Sequence, residues 1–313
     1  MEGVIDAVTR DLLTARGGID WAVTEFVRVV DTRLPPRVFH KHCPELLSSQ
    51  VTTPHGTPVH LQLLGSDPDA LAANARQALK LGATGIDLNF GCPAKTVNRH
   101  DGGASLLRDP SRVQSAVEAV ARAVEGVVPV TAKLRLGFAD RRLARACAQA
   151  AEAGGAQQLV VHARTRNEGY RPPAHWEWIA NVRHCVSIPV IANGDIWTLG
   201  DYWRARSLSG CDDVMIGRGV LADPDLPARI RHWQRTGECL PATSWNVRAT
   251  ILTHYAALQR TTLPERVVVS LLKQWLNHMR ARDEQACSRF AALRRETQLD
   301  SFLEGLEKAY LAA

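Results

Sequence analysis

A repeated pattern of short β-branched runs constrains this chain most strongly. The runs are spaced by roughly 25 to 45 residues, and Ala-rich, helix-like stretches lie between them. They cover residues 21–26 (WAVTEF), 58–65 (PVHLQLLG), 85–91 (GIDLNFG), 129–137 (PVTAKLRLG), 158–165 (QLVVHART), 188–195 (IPVIANGD) and 212–219 (DDVMIGRG). Nearly continuous apolar strands are typical of a parallel sheet that is covered on both faces. Since no GxGxxG motif follows any run, the pattern favours a (β/α)₈ TIM barrel over residues 1–240.

The pattern changes after Pro241, where strand signals stop and helical periodicity continues to the end of the sequence. We predict three helical stretches there, which form an all-α domain over residues 241–313. Ten of the 38 basic residues and seven of the 32 acidic residues lie between 243 and 313. In the middle stretch, an apolar stripe contains Leu272, Leu276 and Met279, and the polar stripe beside it contains Lys273, Asn277 and Arg280. The polar stripe fits an RNA-binding face and a simply solvated face equally well.

Composition excludes several other classes of protein. Seven cysteines without a CxxC pair argue against a disulfide framework and against a cysteine-rich metal site. The segment FHKHCPEL brings His40, His42 and Cys43 together, but their spacing matches no standard zinc pattern. The N-terminal residues lack a secretion signal, and no apolar run is long enough to cross a membrane. We therefore expect a metal-free, cytoplasmic monomer, and the net charge of +6 favours an anionic partner.

Polar side chains interrupt the apolar runs near their carboxyl ends, which is where barrel enzymes carry their active sites. Each of these residues alone could be a hydrogen-bonded core residue, but their common position predicts one shared site. They are Gln62, Asn89, Cys92, Lys133, Arg135, His162, Arg164, Asn193, Asp195 and Arg218. Glycines such as Gly194 and Gly217 follow the last two runs, and backbone N–H groups there can approach an anion closely. We predict that a cofactor phosphate binds at these glycines and Arg218.

The motif Asn-Phe-Gly-Cys-Pro singles out Cys92 among the seven cysteines. Pro93 biases Cys92 towards an extended backbone, which gives the thiol a fixed direction at the end of a strand. A free thiol has a pKa of about 8.5, so it is mostly protonated at neutral pH and can act as an acid. Burial as a small apolar side chain is the better interpretation of Cys147, Cys185 and Cys211.

These residues carry a resemblance to a known family. The stretches GIDLNFGCPAKTVNRHDGGASLL, VTAKLRLG, LVVHARTR, PVIANGDI and DVMIGRGVL resemble the tRNA-dihydrouridine synthases. The stretches TEFVRVVD, CPEL and LLKQWLNHMR are similar to the bacterial C branch, which acts at position 16 of the tRNA D-loop. The resemblance implies FMN as cofactor, NADPH as reductant and a uridine flipped out of tRNA as substrate.

The resemblance also implies roles for individual residues. Cys92 would be the general acid that protonates C5 of the uracil. The expected flavin ligands are Gln62, Lys133, His162, Asn193, Gly194, Asp195, Gly217 and Arg218. The residues expected around the substrate are Asn89, Lys133, Arg135, His162 and Arg164, and Lys273 and Arg280 would contact the tRNA.

Seven runs are visible where a complete barrel has eight strands. Members of the family begin with an apolar strand that ends in Ala-Pro-Met, and Met1 aligns with that methionine, whose backbone contacts the flavin. We expect the genomic frame upstream of Met1 to encode such a strand.

Two other functions fit the residues, namely an FMN-dependent reductase of free pyrimidines and a non-catalytic tRNA-binding protein. A reductase of free pyrimidines would keep its turnover after deletion of residues 243–313. A flavin absorbance spectrum would exclude the non-catalytic tRNA-binding protein.

Overall fold

The computed structural model describes residues 3–308, and this chain divides into two compact units. The first unit contains residues 20–195 and 200–215, and the second contains residues 3–19, 196–199 and 216–308. The predicted boundary at residue 240 therefore does not coincide with the compact units. The predicted division into a catalytic part and an RNA-binding part stays a prediction. The expected backbone contact of Met1 lies outside the described residues.

One parallel sheet forms the centre of the first unit. Its strands are β1 (Ala22–Val23), β2 (Val27–Arg28), β3 (Val59–Leu64), β4 (Ile86–Asn89), β5 (Val130–Arg135), β6 (Gln158–His162), β7 (Val190–Asn193) and β8 (Val214–Met215). Strands β1 and β2 both pair with β3, and β4 to β8 follow in chain order. This sequential parallel order confirms the predicted barrel-type α/β fold. Within residues 3–308 no ladder joins β8 to β1, so the sheet is open there.

The first predicted run appears as two short ladders instead of one continuous strand. Val23 is paired with His60, whereas Val27 is paired with Leu63, so the first strand carries one extra residue between these pairs. Within this bulge the Thr24 hydroxyl accepts a hydrogen bond from the Gln62 backbone N–H at 3.0 Å. A side-chain oxygen thus replaces the backbone carbonyl that a regular ladder would supply.

Fourteen helices lie within residues 3–308, together with two short 3₁₀ segments at Pro44–Leu47 and Gly103–Arg108. They are α1 (Ala7–Thr14), α2 (Pro36–His42), α3 (Pro68–Lys80), α4 (Lys95–Arg99), α5 (Pro110–Val124), α6 (Ala144–Ala153), α7 (Trp176–Arg183), α8 (Leu199–Ser209), α9 (Arg218–Ala222), α10 (Leu226–Thr236), α11 (Trp245–Gln259), α12 (Glu265–Met279), α13 (Glu284–Leu293) and α14 (Leu299–Glu307). Asp-Pro pairs start both α3 and α5, because the aspartate caps the first N–H groups and proline suits the first helical position. Among these helices, none is both long and apolar enough to span a membrane.

Helix α12 forms the centre of the second unit. Its predicted apolar stripe is confirmed, since Leu272, Leu276 and Met279 are all fully buried. They belong to a core that also contains residues of α1, α9, α11, α13 and α14. The third predicted stretch proved to be two helices, α13 and α14. The Glu296 carboxylate accepts hydrogen bonds from the Thr297 and Gln298 backbone N–H groups, and this local turn competes with helix continuation.

Two adjacent glycines after α1 allow a matched test of packing in the second unit. Gly17 and Gly18 have nearly equal φ values of +78° and +77°. A Cβ at Gly17 would meet open space, whereas a Cβ at Gly18 would lie 2.4 Å from the Pro227 carbonyl carbon. We expect Gly17→Ala to lower the free energy of unfolding by about 1 kcal/mol through backbone strain. Gly18→Ala should lower it by several times that amount, as urea denaturation would measure; equal losses would contradict this packing.

Candidate active site

The register of the sheet places the predicted polar residues in rows. Asn89 is the cross-strand partner of Lys133, and Arg135 is the partner of His162, which is itself the partner of Asn193. Side chains of partnered residues in neighbouring strands point to the same face of a sheet. Four strands, β4 to β7, therefore deliver these groups to one edge. The common position that the sequence predicted is confirmed for these five residues.

The Cys92 loop is held by a dense set of hydrogen bonds. The Asn89 side-chain oxygen accepts from the backbone N–H groups of Gly91 and Cys92, both at 2.9 Å. The Cys92 carbonyl accepts from Asn98 Nδ2 at 2.9 Å and from the Ala104 N–H at 3.2 Å. Gly103, with φ +59°, is required here because a Cβ would lie 3.0 Å from both the Cβ and the carbonyl oxygen of Cys92.

The Cys92 thiol, which forms no disulfide, is half-buried against an apolar cluster of Phe26, Leu64 and Val97. The backbone is thus fixed at the end of β4 while the thiol remains partly accessible. Such a thiol is positioned to react with a group that reaches this edge of the sheet.

Lys133 is a half-buried cation on β5. Burial, with a further contribution from the nearby Arg135, lowers the pKa of the Lys133 ammonium to about 8, although Asp87 and Cys92 act in the opposite direction. Within residues 3–308 its hydrogen-bond acceptor is the Asn193 side-chain oxygen at 2.9 Å. Asn193 Nδ2 in turn donates to the Met215 carbonyl at 2.8 Å, which fixes the orientation of the amide. Two of the three N–H bonds of Lys133 thus remain for a ligand.

Arg135 has a structural role that the sequence did not predict. Its Nε donates to the Gly91 carbonyl at 2.7 Å, and its Nη1 donates to the carbonyls of Thr165 and Gly169 at 3.1 and 2.9 Å. The buried guanidinium therefore ties the Cys92 loop to the loop that follows β6. Contact of Arg135 with the uracil stays a prediction.

Arg164 is fully buried and forms an ion pair with Asp195. Its Nε also donates to the carbonyls of Arg171 and Pro173, at 2.6 and 3.1 Å. Its Nη1 is buried and has no hydrogen-bond partner within the described residues. A buried guanidinium N–H without an acceptor is costly, so this donor indicates a place where a ligand oxygen would be stabilised.

Two residues near this edge were missed by the sequence analysis. The Tyr170 ring packs edge-to-face on His162, with centroids 6.0 Å apart, and lies under the Arg135 guanidinium at 5.2 Å. Asp87 is fully buried beneath Gln62 and Asn89. Tyr170 lies in a loop without periodicity. Asp87 occupies an inward position of β4, and the alternation of the strand could have revealed it.

Gly194 lies in the first unit, where its carbonyl accepts a hydrogen bond from Trp176 Nε1 at 2.8 Å, and four further predicted residues lie in the second unit. Gly217 precedes α9, and the guanidinium of Arg218 stacks on the Trp197 indole at 5.1 Å. On α12, Lys273 is half-buried, while Arg280 is exposed and stacks on Phe290 at 4.3 Å. The expected roles of these four residues in holding phosphate or tRNA stay predictions.

The segment around His40, His42 and Cys43 forms the end of α2 and the start of the first 3₁₀ segment. Cys43 is fully buried. In the part of the chain that the structure describes, no group of three or more His, Cys, Asp or Glu side chains is arranged to hold a metal ion.

A parallel barrel-type sheet with a cysteine, a lysine and two arginines at one strand edge defines the protein as a barrel enzyme. Residues 1–311 match the family model described as dihydrouridine synthase (Dus). The chain is 49% identical over 296 residues to a tRNA-dihydrouridine(16) synthase of Aquipseudomonas alcaligenes, which covers 95% of this chain and 93% of the relative. A tRNA-dihydrouridine(16) synthase of Pseudomonas putida is 47% identical and covers all of this chain and 97% of the relative. The chain therefore belongs to the dihydrouridine synthase family and is an oxidoreductase.

Solved structures support the fold. The old yellow enzyme homologue from Zymomonas mobilis is similar with a TM-score of 0.51 and 13% identity, covering 78% of this chain and 86% of that one. Histamine dehydrogenase from a Rhizobium species is similar with a TM-score of 0.54 and 16% identity, covering 72% of this chain and 43% of that one. At this level of identity the likeness concerns the fold alone.

The lowered pKa of Lys133 leads to a direct prediction for the cofactor-free protein. Because the ammonium loses its proton as pH rises through about 8, acylation of Lys133 should increase steeply across that pH. The increase should occur about two pH units below the ordinary lysine value of about 10.4. Peptide mass spectrometry after brief acetic anhydride pulses would measure this, with the exposed Lys80 as reference amine. A Lys133 profile that follows Lys80 would contradict the lowered pKa of Lys133.

Proposed function

We propose that this protein reduces a D-loop uridine of tRNA, at position 16, to 5,6-dihydrouridine, with FMN as cofactor and NADPH as reductant. The family and the names of the relatives support the reaction and the position. The single observation that carries the mechanism is that hydrogen bonds from the Gly91 and Cys92 N–H groups to Asn89 fix the Cys92 loop. Its half-buried thiol is fixed at the end of β4, at the same edge as the Lys133 ammonium.

The donors at this edge fit a flavin. A flavin ring presents carbonyl oxygens and ring nitrogens as acceptors, and Lys133 and Arg164 both offer N–H groups without acceptors among the described residues. The residues that would hold it are Gln62, Lys133, His162, Asn193, Gly194, Asp195, Gly217 and Arg218. When bound and reduced, a flavin supplies a hydride, which the uracil accepts at C6.

The protein's own residues account for the other half of the reduction. Cys92 donates a proton to C5 of the uracil, and the apolar cluster beneath the thiol keeps water away from one side of it. Lys133 supplies a half-buried positive charge, which stabilises negative charge on a neighbouring ring. Asn89, Arg135, His162 and Arg164 surround the base.

The Cys92→Ala variant tests the acid directly. It should bind FMN and oxidise NADPH at the normal rate, because the proton is needed only after the flavin is reduced. Re-oxidation of the flavin by unmodified tRNA should then be about 10²- to 10⁴-fold slower, the usual effect of losing a positioned acid. Stopped-flow flavin absorbance measures the two half-reactions separately. Cys239→Ala, which removes an exposed thiol, is the control, and a wild-type rate in Cys92→Ala would show that Cys92 is not the acid.

Point substitutions test tRNA binding better than deletion of residues 243–313. That deletion would remove most of the core that packs on Leu12, Leu13 and Leu221 of the second unit. The same unit would then expose apolar surface, and loss of activity would have two explanations.

Lys273→Ala combined with Arg280→Ala should weaken tRNA binding and reduce its dependence on salt. Each lost phosphate contact lowers the slope of log affinity against log salt by about 0.7 to 0.9. Filter binding across a salt series would measure the slope. The matched control is Arg122→Ala combined with Arg260→Ala, which also removes two positive charges, both exposed and paired with Glu118 and Glu265. If both double variants behave alike, Lys273 and Arg280 form only a solvated face.

A further inference from the structure

Three polar side chains form a row beneath the candidate active site. Asp87 of β4 is the cross-strand partner of Gln62 on β3 and of Thr131 on β5. All three side chains are almost completely buried, and Asp87 has no exposed surface. A carboxylate in this position is costly unless donors surround it.

Two short hydrogen bonds compensate for the burial of Asp87. The Thr131 hydroxyl donates to Oδ1 at 2.6 Å, and Gln62 Nε2 donates to Oδ2 at 2.7 Å. Burial raises the pKa of Asp87 above its ordinary value, although these two donors and the charge of Lys133 act in the opposite direction. Neither Asp87 nor Thr131 has a part in the reaction described above.

The row continues upward to Cys92 through two amides. Gln62 Oε1 accepts from Asn89 Nδ2 at 2.7 Å, and Asn89 Oδ1 accepts from the N–H groups of Gly91 and Cys92. Backbone N–H groups can only donate, so they require an oxygen from Asn89. Asn89 then offers only its NH₂ group to Gln62, and Gln62 offers only its own NH₂ group to Asp87. In this orientation the NH₂ group of Gln62 faces position 87. That position must therefore carry a hydrogen-bond acceptor, which Asp87 supplies.

We propose that Asp87 is a positioning residue that fixes the Cys92 loop through Gln62 and Asn89. The inference rests on the proposed function, because it assigns Asp87 a part in the reaction of Cys92. Without an acceptor at position 87, the bond from Gln62 Nε2 that favours the present orientation is lost, so the rotated Gln62 amide becomes less unfavourable and more populated. A rotated Gln62 presents NH₂ to Asn89, and a rotated Asn89 presents NH₂ to the N–H groups of Gly91 and Cys92. Both bonds that hold the loop are then lost.

Three substitutions separate this role from general stability. Asp87→Val removes the acceptor. Asp87→Asn retains it, since the new amide can direct its oxygen to Gln62 and its NH₂ group to the Thr131 hydroxyl, which can accept. Thr131→Val is the matched control, because it removes the other donor to Asp87 and leaves the row from Asp87 to Cys92 intact. If Asp87→Val does not fold, Asp87→Ala, which adds no volume, takes its place with the same expected result.

The first measurement is hydrogen exchange of the peptide that contains Gly91 and Cys92, in the cofactor-free protein. We expect exchange about tenfold faster in Asp87→Val, the equivalent of one lost hydrogen bond, and near-normal exchange in Asp87→Asn and Thr131→Val. The second measurement is flavin re-oxidation by tRNA, which should also fall about tenfold or more in Asp87→Val and recover in Asp87→Asn.

Two results would overturn the proposal. Unchanged exchange in Asp87→Val would show that Asp87 does not hold the loop. Equal acceleration in Asp87→Val and Thr131→Val would show only a general loosening of the sheet. Faster exchange in Asp87→Val with normal re-oxidation would support the link to the loop and would instead contradict the role of Cys92 as the acid.

Discussion

The in-register pairing of parallel strands is the constraint on which the site depends. Strands β3 to β7 of the first unit are largely buried, so a polar side chain on them must find its partner on the neighbouring strand. The pairing supplies such partners in rows: Gln62, Asp87 and Thr131 below, and Asn89 beside Lys133 above. A shift of one residue in any strand would turn these groups to the opposite face. The sheet therefore determines which side chains meet before any loop contributes.

The fold could be predicted from the sequence because its signals are local and repeated. Each run of β-branched residues followed by an Ala-rich helix specifies one unit of the barrel, and α3 and α6 are two such Ala-rich helices. Two features of the fold that the sequence analysis did not predict also have local causes. The bulge at Thr24 depends on one hydroxyl that replaces a backbone acceptor, and the break between α13 and α14 depends on the Glu296 carboxylate. Hydrophobic periodicity does not reveal either feature.

The sequence predicted which residues form the candidate site, but it did not predict the contacts that each of them makes. The polar residues at strand ends stood out against apolar neighbours, and the structure brings Asn89, Cys92, Lys133, His162 and Asn193 to one edge. The sequence could not show that Arg135 donates to the backbone carbonyls of Gly91, Thr165 and Gly169, or that Arg164 Nε donates to those of Arg171 and Pro173. Such contacts join residues that are 7 to 44 positions apart, so their partners emerge only when the chain is folded.

The tethering role of Arg135 changes how substitutions at this site should be understood. Because its Nε donates to the Gly91 carbonyl, removal of the guanidinium frees the same loop that Asn89 holds from the other side. It would also leave the carbonyls of Thr165 and Gly169 without their donor and release the segment that carries Tyr170. A lower rate in an Arg135 variant thus combines displacement of Cys92 with any lost contact to the base. The chain from Asp87 acts on the Cys92 loop from below and Arg135 acts on it from the side. The position of the thiol is therefore a property of three neighbouring strands, and the motif Asn-Phe-Gly-Cys-Pro alone does not determine it.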